Sequence, residues 1–508
     1  MERSEFDQGP PSPCPAPFNL AAHVLARADD LSAKTALCIT RRDEIQTWRY
    51  GDLKQAILGT ATGLLAAGLS PGDKVLMRLG NTVDFPIAYL AAIAVDLVPI
   101  PTSAALTEAE VARIIAELEP ACVLHDPNVT SAAHDRVLDL PRLRDMHSLP
   151  QATFRMGDPD RLGYIVYTSG TSGQPRAVGH AHRAIWARQM MITGWYDLKE
   201  SDRLMHAGAF NWTYTLGTGL MDPWTQGATA IVPASGLSTV DFPALLSQQD
   251  VSIFAAVPGV YRQILRRDLP HLPKLRHGLS AGEKLPETTR VAWQAQTGTD
   301  IHEAFGMSEC STFISGNPAR PLPAGALGAP QKGRRIAIVD QGEAVPLGDV
   351  GGIAIHRSDP GLMLGYLNTT SPFEDRLHGD WFLTGDMGRM SDDGAITYEG
   401  RADDMMNAGG FRVSPLEVEA CLATFPEITG VAVTEVPVAS GATIIAAFYT
   451  SSSQIDETAL TAHAEKGLAR YKLPRAYVSV NALPTGANGK IVRRNLKQIW
   501  IEGDHGTR

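Results

Sequence analysis

Charge, cysteine and long apolar runs are all scarce in this chain. Only 20% of its 508 residues are charged, and 45 Lys+Arg against 55 Asp+Glu leave a net charge of −10. That balance speaks against a general nucleic-acid binder, which needs basic excess to neutralise phosphates. Cys14, Cys38, Cys122, Cys310 and Cys421 are scattered, with no CxxC pair and no Cys/His cluster at metal-ligand spacing. An odd, irregular set argues against a disulfide framework and predicts a reducing, cytoplasmic compartment. The longest apolar run, Pro86 to Val95, ends at Asp96 and has about half the length of a bilayer span. The start, through Pro17, is polar and proline-rich, without the apolar core of a secretory signal. No repeat with a period of roughly 20–50 residues is visible. Neither a membrane nor a nucleic acid is therefore expected as partner, and the sequon Asn128-Val129-Thr130 is read as incidental.

What is present is a globular composition, with 44% hydrophobic residues. At about 150 residues per domain, the length predicts about three domains, or one large and one smaller. Apolar β-branched runs alternate with helical patterns, which predicts an α/β fold. Thr107 and Glu110 read as a capping box, with Leu106 as a staple; Val111, Ile114, Ile115 and Leu118 form one face and Pro120 the stop. The runs from Ala228 to Pro233 and from Val251 to Val257 read as strands buried on both faces, as in parallel sheets. Near residue 400 the texture changes. Asp392-Asp393-Gly394 reads as a hairpin turn, and Ser414-Pro415 as the cap and first turn of a helix. We expect a large N-terminal domain of layered sheets and helices over 1–400, and a small α+β C-terminal domain over 401–508, with the boundary at Arg401 to Asp404.

The strongest local signal runs from Tyr164 to Val178. An apolar strand feeds Thr168, Ser169, Gly170, Thr171, Ser172 and Gly173, followed by Arg176. Glycines let backbone N–H groups converge, hydroxyls add donors without bulk, and Arg176 adds a cation, which is what a phosphate cradle needs. The GxxxxGK[ST] spacing of a Walker A loop is absent. Composition alone leaves two readings open, a phosphate cradle or a Ser/Gly surface loop.

The segment resembles the phosphate loop of the adenylate-forming superfamily, which includes acyl- and aryl-CoA synthetases, luciferases and peptide-synthetase adenylation domains. Further motifs follow in the family's order. Ala304-Phe305-Gly306-Met307-Ser308-Glu309 is similar to its aromatic-Gly-x-Thr/Ser-Glu motif, and Thr384-Gly385-Asp386 to its TGD motif. The run from Gly400 to Pro415 is similar to its hinge motif, and that from Pro484 to Arg493 to its PxxxxGKxxR motif. The resemblance spans residues 164 to 493. It implies ATP, Mg²⁺ and CoA as cofactors, and a carboxylic acid as substrate. The acid would be activated as an acyl-adenylate and passed to the CoA thiol.

By that resemblance the 168–176 loop holds the pyrophosphate end of ATP, Glu309 ligates Mg²⁺, and Phe305 and Gly282-Glu283-Lys284 flank adenine. Asp386 would accept the ribose hydroxyls. Arg401 would reach the ribose or phosphate, and Arg412 is a further phosphate candidate. Lys490 would bridge the carboxylate and α-phosphate during adenylation. The small domain would then turn about Asp403, withdrawing Lys490 and bringing Gly409-Gly410 to admit the pantetheine arm. Pro175-Arg176-Ala177 departs from the family's Pro-Lys-Gly, keeping charge but not geometry. Ser308 stands where Thr is commoner and keeps the hydroxyl.

The candidate acyl pocket comprises His206, Ala207, Phe210, Asn211, Trp212, Leu216, Gly217, Ser280, Ala281 and Met307. This apolar, small-residue mixture suits a compact aromatic or a short- to medium-chain acid. Two rival functions stand beside the ligase: an adenylating enzyme that loads a carrier protein, and a non-catalytic nucleotide-binding protein on the same scaffold. The sequence does not reveal oligomeric state, and a homodimer is compatible with it.

Overall fold

The computed structural model describes residues 2–41, 44–168, 176–234, 236–320, 322–323, 325–367, 373–402, 404–408, 411–438, 443–485 and 491–503. The chain is mixed α/β, as expected, and divides into two compact units. One comprises Phe6–Ile336 and Ile355–Phe382. The other comprises Met1–Glu5, Ala337–Ala354 and Leu383–Arg508.

In the larger unit the described residues build a nine-stranded sheet. Its centre is six parallel strands in the order Ile301–Met307, His277–Ala281, Ile253–Ala256, Arg203–His206, Thr229–Pro233 and Thr35–Thr40. Antiparallel strands flank both sides, Ser311–Ser315 and then Ala329–Pro330 on one and Ile45–Arg49 on the other. The strands Thr229–Pro233 and Ile253–Ala256 are buried at every position, because helices cover both faces of a parallel sheet. A four-stranded parallel sheet carries the chain from Lys74 to Asp139.

The helix Glu108–Leu118 has the expected capping box, and Val111, Ile114 and Leu118 are buried. Glu119 ends it in the left-handed region, at φ 46°, one residue before Pro120. The longest apolar run forms the helix Asp84–Ala94, all of whose residues are buried. Among the described residues no helix is long and apolar enough to cross a membrane.

In the smaller unit, Asp392-Asp393-Gly394 turns the chain between Trp381–Met390 and Ile396–Arg401, which pair antiparallel. Then come a short hairpin, the helix Pro415–Leu422, a three-stranded sheet, and the helices Glu457–Gly467 and Arg493–Glu502. Pro415 occupies the first turn as expected. Ser414 makes no capping bond, because its hydroxyl donates instead to the Glu399 carbonyl. Val418, Leu422, Val433, Ile445 and Leu460 form the core of this unit.

Candidate active site

The strand Leu162–Thr168 and the strand Arg176–Ala181 pair antiparallel, with Thr168 registered opposite Arg176. The segment from Asp359 runs beside the second strand. Leu364 N–H donates to Gly179 O at 2.8 Å, and Leu367 N–H to Ala177 O at 2.9 Å. Tyr366 is thereby delivered to Arg176, whose guanidinium lies 4.9 Å from the centre of its ring. From the other side come Ser308 and Glu309, in the turn between two strands of the large sheet. His180 stacks on Tyr164 at 4.9 Å and bonds the Ser308 carbonyl at 2.7 Å. Burial lowers the His180 imidazole to about 4, so it stays neutral and bonds as a donor.

The Glu309 carboxylate is held in place. Its Oε1 accepts from the Tyr366 hydroxyl at 2.7 Å and pairs with Arg376 at 3.2 Å. Burial, then the charge of Glu309, push the Tyr366 phenol up, so it remains a donor. Among the described residues, no group of three or more His, Cys, Asp or Glu could hold a metal. A single held carboxylate fits Mg²⁺, which takes one or two carboxylates and completes its shell with waters and substrate phosphates.

Gly306 is needed for this turn. A Cβ there would lie 2.0 Å from Ser311 O and 2.5 Å from Thr312 Cα. The strand register slips between Phe305 and Gly306, and only glycine tolerates so close a backbone. Phe305 is half-buried and packs edge-on against Phe313 at 5.4 Å. Gly282 takes φ +98°, and Lys284 Nζ donates to Gly325 O at 3.0 Å.

The acyl-pocket candidates divide. His206 and Ala281 lie at the carboxyl ends of parallel strands, where open α/β sheets place ligands, and Ala304 of the adenine motif is registered opposite Ala281. His206 meets Tyr214 edge-on at 4.4 Å, and Trp212 meets the same Tyr214 at 5.7 Å. A Cβ on Gly282 would lie 3.6 Å from the Trp212 ring, so these groups form one neighbourhood. Met307 is half-buried at its edge. Phe210 and Leu216 instead pack into the main core, Phe210 stacked on Phe85 at 6.1 Å. Ala207 packs against the cluster around Phe254 and Trp293. Ser280, registered opposite Ala256 and Glu303, falls on the sheet face away from Ala281, because strand side chains alternate.

Gly217 has a different partner from the one expected. A Cβ there would lie 2.3 Å from Arg188 Nη2. Arg188 is buried and pairs with Asp222 at 2.5 Å, and it bonds Tyr196, Thr218 and Ser311. Burial opposes its charge, but Asp222 and Tyr196 hold it well above the usual arginine value. This cation ties the segment Thr215–Met221 to Ser311, two residues from Glu309. No motif marks Arg188; a lone Arg in an apolar, Gly-interrupted stretch is the only trace it leaves in the sequence.

In the smaller unit, Asp386 accepts from Tyr398 at 2.9 Å and pairs with Arg401 at 2.9 Å. Gly385, the residue before it in the strand Trp381–Met390, takes φ +80°. Arg493, the last residue of the terminal motif, is an anchor. It forks onto both oxygens of Glu419 at 2.7 and 2.8 Å and reaches Asp404 at 3.3 Å. Thr485 and Ile491 bridge antiparallel. Arg412 lies in the strand Phe411–Val413, opposite Asn407. Ser169, Gly170, Thr171, Ser172, Gly173, Asp403, Gly409, Gly410 and Lys490 lie outside the described residues.

Comparison with known proteins decides the family. The model described as "AMP-binding enzyme" matches residues 25–367, and "AMP-binding enzyme C-terminal domain" matches residues 417–490. The chain belongs to the AMP-binding enzyme family. Among its relatives is the "3-hydroxybenzoate--CoA ligase" of Aromatoleum sp. (strain CIB), 28% identical over 487 residues, covering 89% of this chain and 92% of the relative. Another is "Acyl-coenzyme A synthetase ACSM3, mitochondrial" of Mus musculus, 27% identical over 473 residues, 86% and 81% of the two chains. A benzoate CoA ligase from Burkholderia xenovorans LB400 superposes with a TM-score of 0.83 at 26% identity, covering 94% of this AMP-binding enzyme and 100% of that chain. ATP-bound MatB from Rhodopseudomonas palustris shares the fold, with a TM-score of 0.86 at 23% identity over 95% of this chain and 98% of that one.

Proposed function

We propose that this AMP-binding enzyme is an AMP-forming carboxylic acid:CoA ligase. It joins a small aromatic or a short- to medium-chain acid to ATP, releasing pyrophosphate and leaving an acyl-adenylate. The CoA thiol then attacks the mixed anhydride, giving the thioester and AMP. The observation that carries this reading is the held Glu309 carboxylate paired with Arg376, with Arg176 on the same Tyr366 hydroxyl at the Thr168–Arg176 end of the strand pair. Both the relatives and the benzoate ligase point the same way.

In this scheme the hairpin and Arg176 receive the phosphates and orient the α-phosphorus for in-line attack. Glu309 would hold Mg²⁺, which neutralises phosphate charge when bound. Asp386, with Arg401, receives the ribose diol. Lys490 approaches the reacting oxygens for adenylation, Gly409-Gly410 admits the pantetheine arm for the thioester step, and Arg412 is a further phosphate contact. A turn about Asp403, between an N-terminal 1–400 domain and a C-terminal 401–508 domain, exchanges the two. The small Ala281 and Ala304 side chains and the Trp212–Tyr214 pair favour a compact acid. The compartment is the cytoplasm.

A pyrophosphate-release screen over carboxylic acids, with and without CoA, tests this. Benzoates or C4 to C10 acids should give pyrophosphate, and AMP should accumulate with thioester only when CoA is added. Amino-acid or C16 preference overturns the pocket reading. Thioester on a carrier protein but not on CoA overturns the acceptor, and no AMP with any acid overturns the ligase.

A further inference from the structure

Arg376 belongs to no motif, yet it stands at the centre of the charged cluster. Its Nη1 lies 3.0 Å from the Tyr366 hydroxyl and 3.2 Å from Glu309 Oε1. Arg176 Nη1 reaches the same hydroxyl at 3.3 Å. Each guanidinium plane rests on an aromatic ring, Arg376 on Phe382 at 4.8 Å and Arg176 on Tyr366 at 4.9 Å. Two cations thus share one phenol, and one of them, Arg376, also meets the carboxylate. The cluster is largely enclosed, with 20% of the Arg376 side chain and 14% of Glu309 exposed. An anion brought into such a place interacts more strongly than on open surface.

The lengths also matter. Charge-assisted N–H···O bonds are commonly about 2.7–2.9 Å. The Arg376–Glu309 and Arg176–Tyr366 contacts are longer, at 3.2 and 3.3 Å, whereas the Tyr366–Glu309 bond is 2.7 Å. The phenol–carboxylate pair is therefore the firmer contact, and the longer Arg376–Glu309 bond is the one a phosphate oxygen can replace. A guanidinium offers five donors in a planar fork that matches phosphate oxygens.

We propose that Arg376, together with Arg176, binds the terminal phosphates of ATP and the pyrophosphate product, while Tyr366 is a positioning residue that holds Glu309 between them. On arrival of the polyphosphate, Arg376 exchanges its bond to Glu309 Oε1 for a phosphate oxygen. The carboxylate would then be able to hold Mg²⁺, and the cation stays beside the leaving group. This assignment rests on the ligase reading above.

The test uses the full chain and two half-reactions. Binding of inorganic pyrophosphate with Mg²⁺ is measured by calorimetry, KM for ATP by adenylation, and the second step by thioester formation from supplied acyl-adenylate and CoA. Arg376→Gln should weaken pyrophosphate binding and raise KM for ATP by roughly tenfold or more, the worth of one charged hydrogen bond. Arg376→Lys should recover part of both. KM for the acid and thioester formation from supplied adenylate should stay within about twofold, since no pyrophosphate takes part in that step. Unchanged pyrophosphate affinity in Arg376→Gln overturns the proposal, and so does an equal loss in both half-reactions, which marks a structural role. If Arg376→Gln does not fold, Arg376→Lys decides: an intermediate affinity supports the role, and an unaltered one overturns it. A wild-type chain that neither binds pyrophosphate nor releases it overturns the ligase reading and this one with it.

Discussion

Replacing His206 by Phe should make this enzyme less sensitive to acid. His206 is 1% exposed, and neither ring nitrogen has a hydrogen-bond partner. Burial alone lowers its imidazole to about 3, from the ordinary 6.5. Below pH 6.5 the unfolded chain therefore takes up a proton that the folded chain refuses. Folded stability must fall as pH drops from 6.5 towards 3, and must not respond to this group above that window. At pH 5 the loss is about 2 kcal/mol. Phe removes the titrating group and both unpartnered nitrogens while nearly keeping the shape. Any cost of crowding against Gly219, whose Cβ would lie 2.8 Å from that of residue 206, is the same at every pH. His206→Phe should therefore gain about 2 kcal/mol over wild type on going from pH 8 to pH 5. His180, His277 and His302, each lowered to about 4 by burial, titrate equally in both proteins and cancel. Urea unfolding at the two pH values measures the difference through the buried Trp195 and Trp224. The two compact units make a single two-state fit unsafe, so the transition of the larger unit is taken by itself. If the two proteins lose the same stability between pH 8 and pH 5, within about 0.5 kcal/mol, the buried-neutral account of His206 is wrong.

Arg188→Met strands the buried Asp222 carboxylate and should cost about 3–5 kcal/mol, with much of it returned in Arg188→Met/Asp222→Leu; urea midpoints that do not improve in the double variant would count against the pair. Gly306→Ala must open the bulge beside Glu309, so KM for ATP should rise severalfold with KM for the acid little changed, and an unaltered KM for ATP would remove the steric argument. Lys490→Ala should abolish pyrophosphate release from acid and ATP but largely spare thioester formation from supplied acyl-adenylate; equal loss of both steps would refute a role confined to adenylation.

The helix over 108–118 and the buried strands were legible because their signals are local. A capping box and a period-3.6 stripe act within a few residues of each other, and a fully apolar run can only be buried. The motif around Glu309 was marked by its resemblance to the family's, since a lone Glu would otherwise read as a solvated surface group. Arg376 and Arg188 were not legible. Arg376 meets Glu309 across 67 residues and Arg188 meets Ser311 across 123, and nothing in the local pattern of either announces a partner. Ser280 was assigned to the acyl pocket by its place in a run, whereas strand alternation turned it to the other face.

By itself, then, the order of residues determined the α/β class and the family, because backbone propensity, polarity and short motifs are properties of neighbouring residues. The tertiary structure decided which side chains share an enclosed volume. Only there does Tyr366 join Glu309 to Arg376 and Arg176, does Gly217 make room for Arg188, and does Arg493 serve as an anchor to Glu419. Charges and hydrogen bonds acquire their strength from distance and burial, and those two quantities exist only once distant segments have packed.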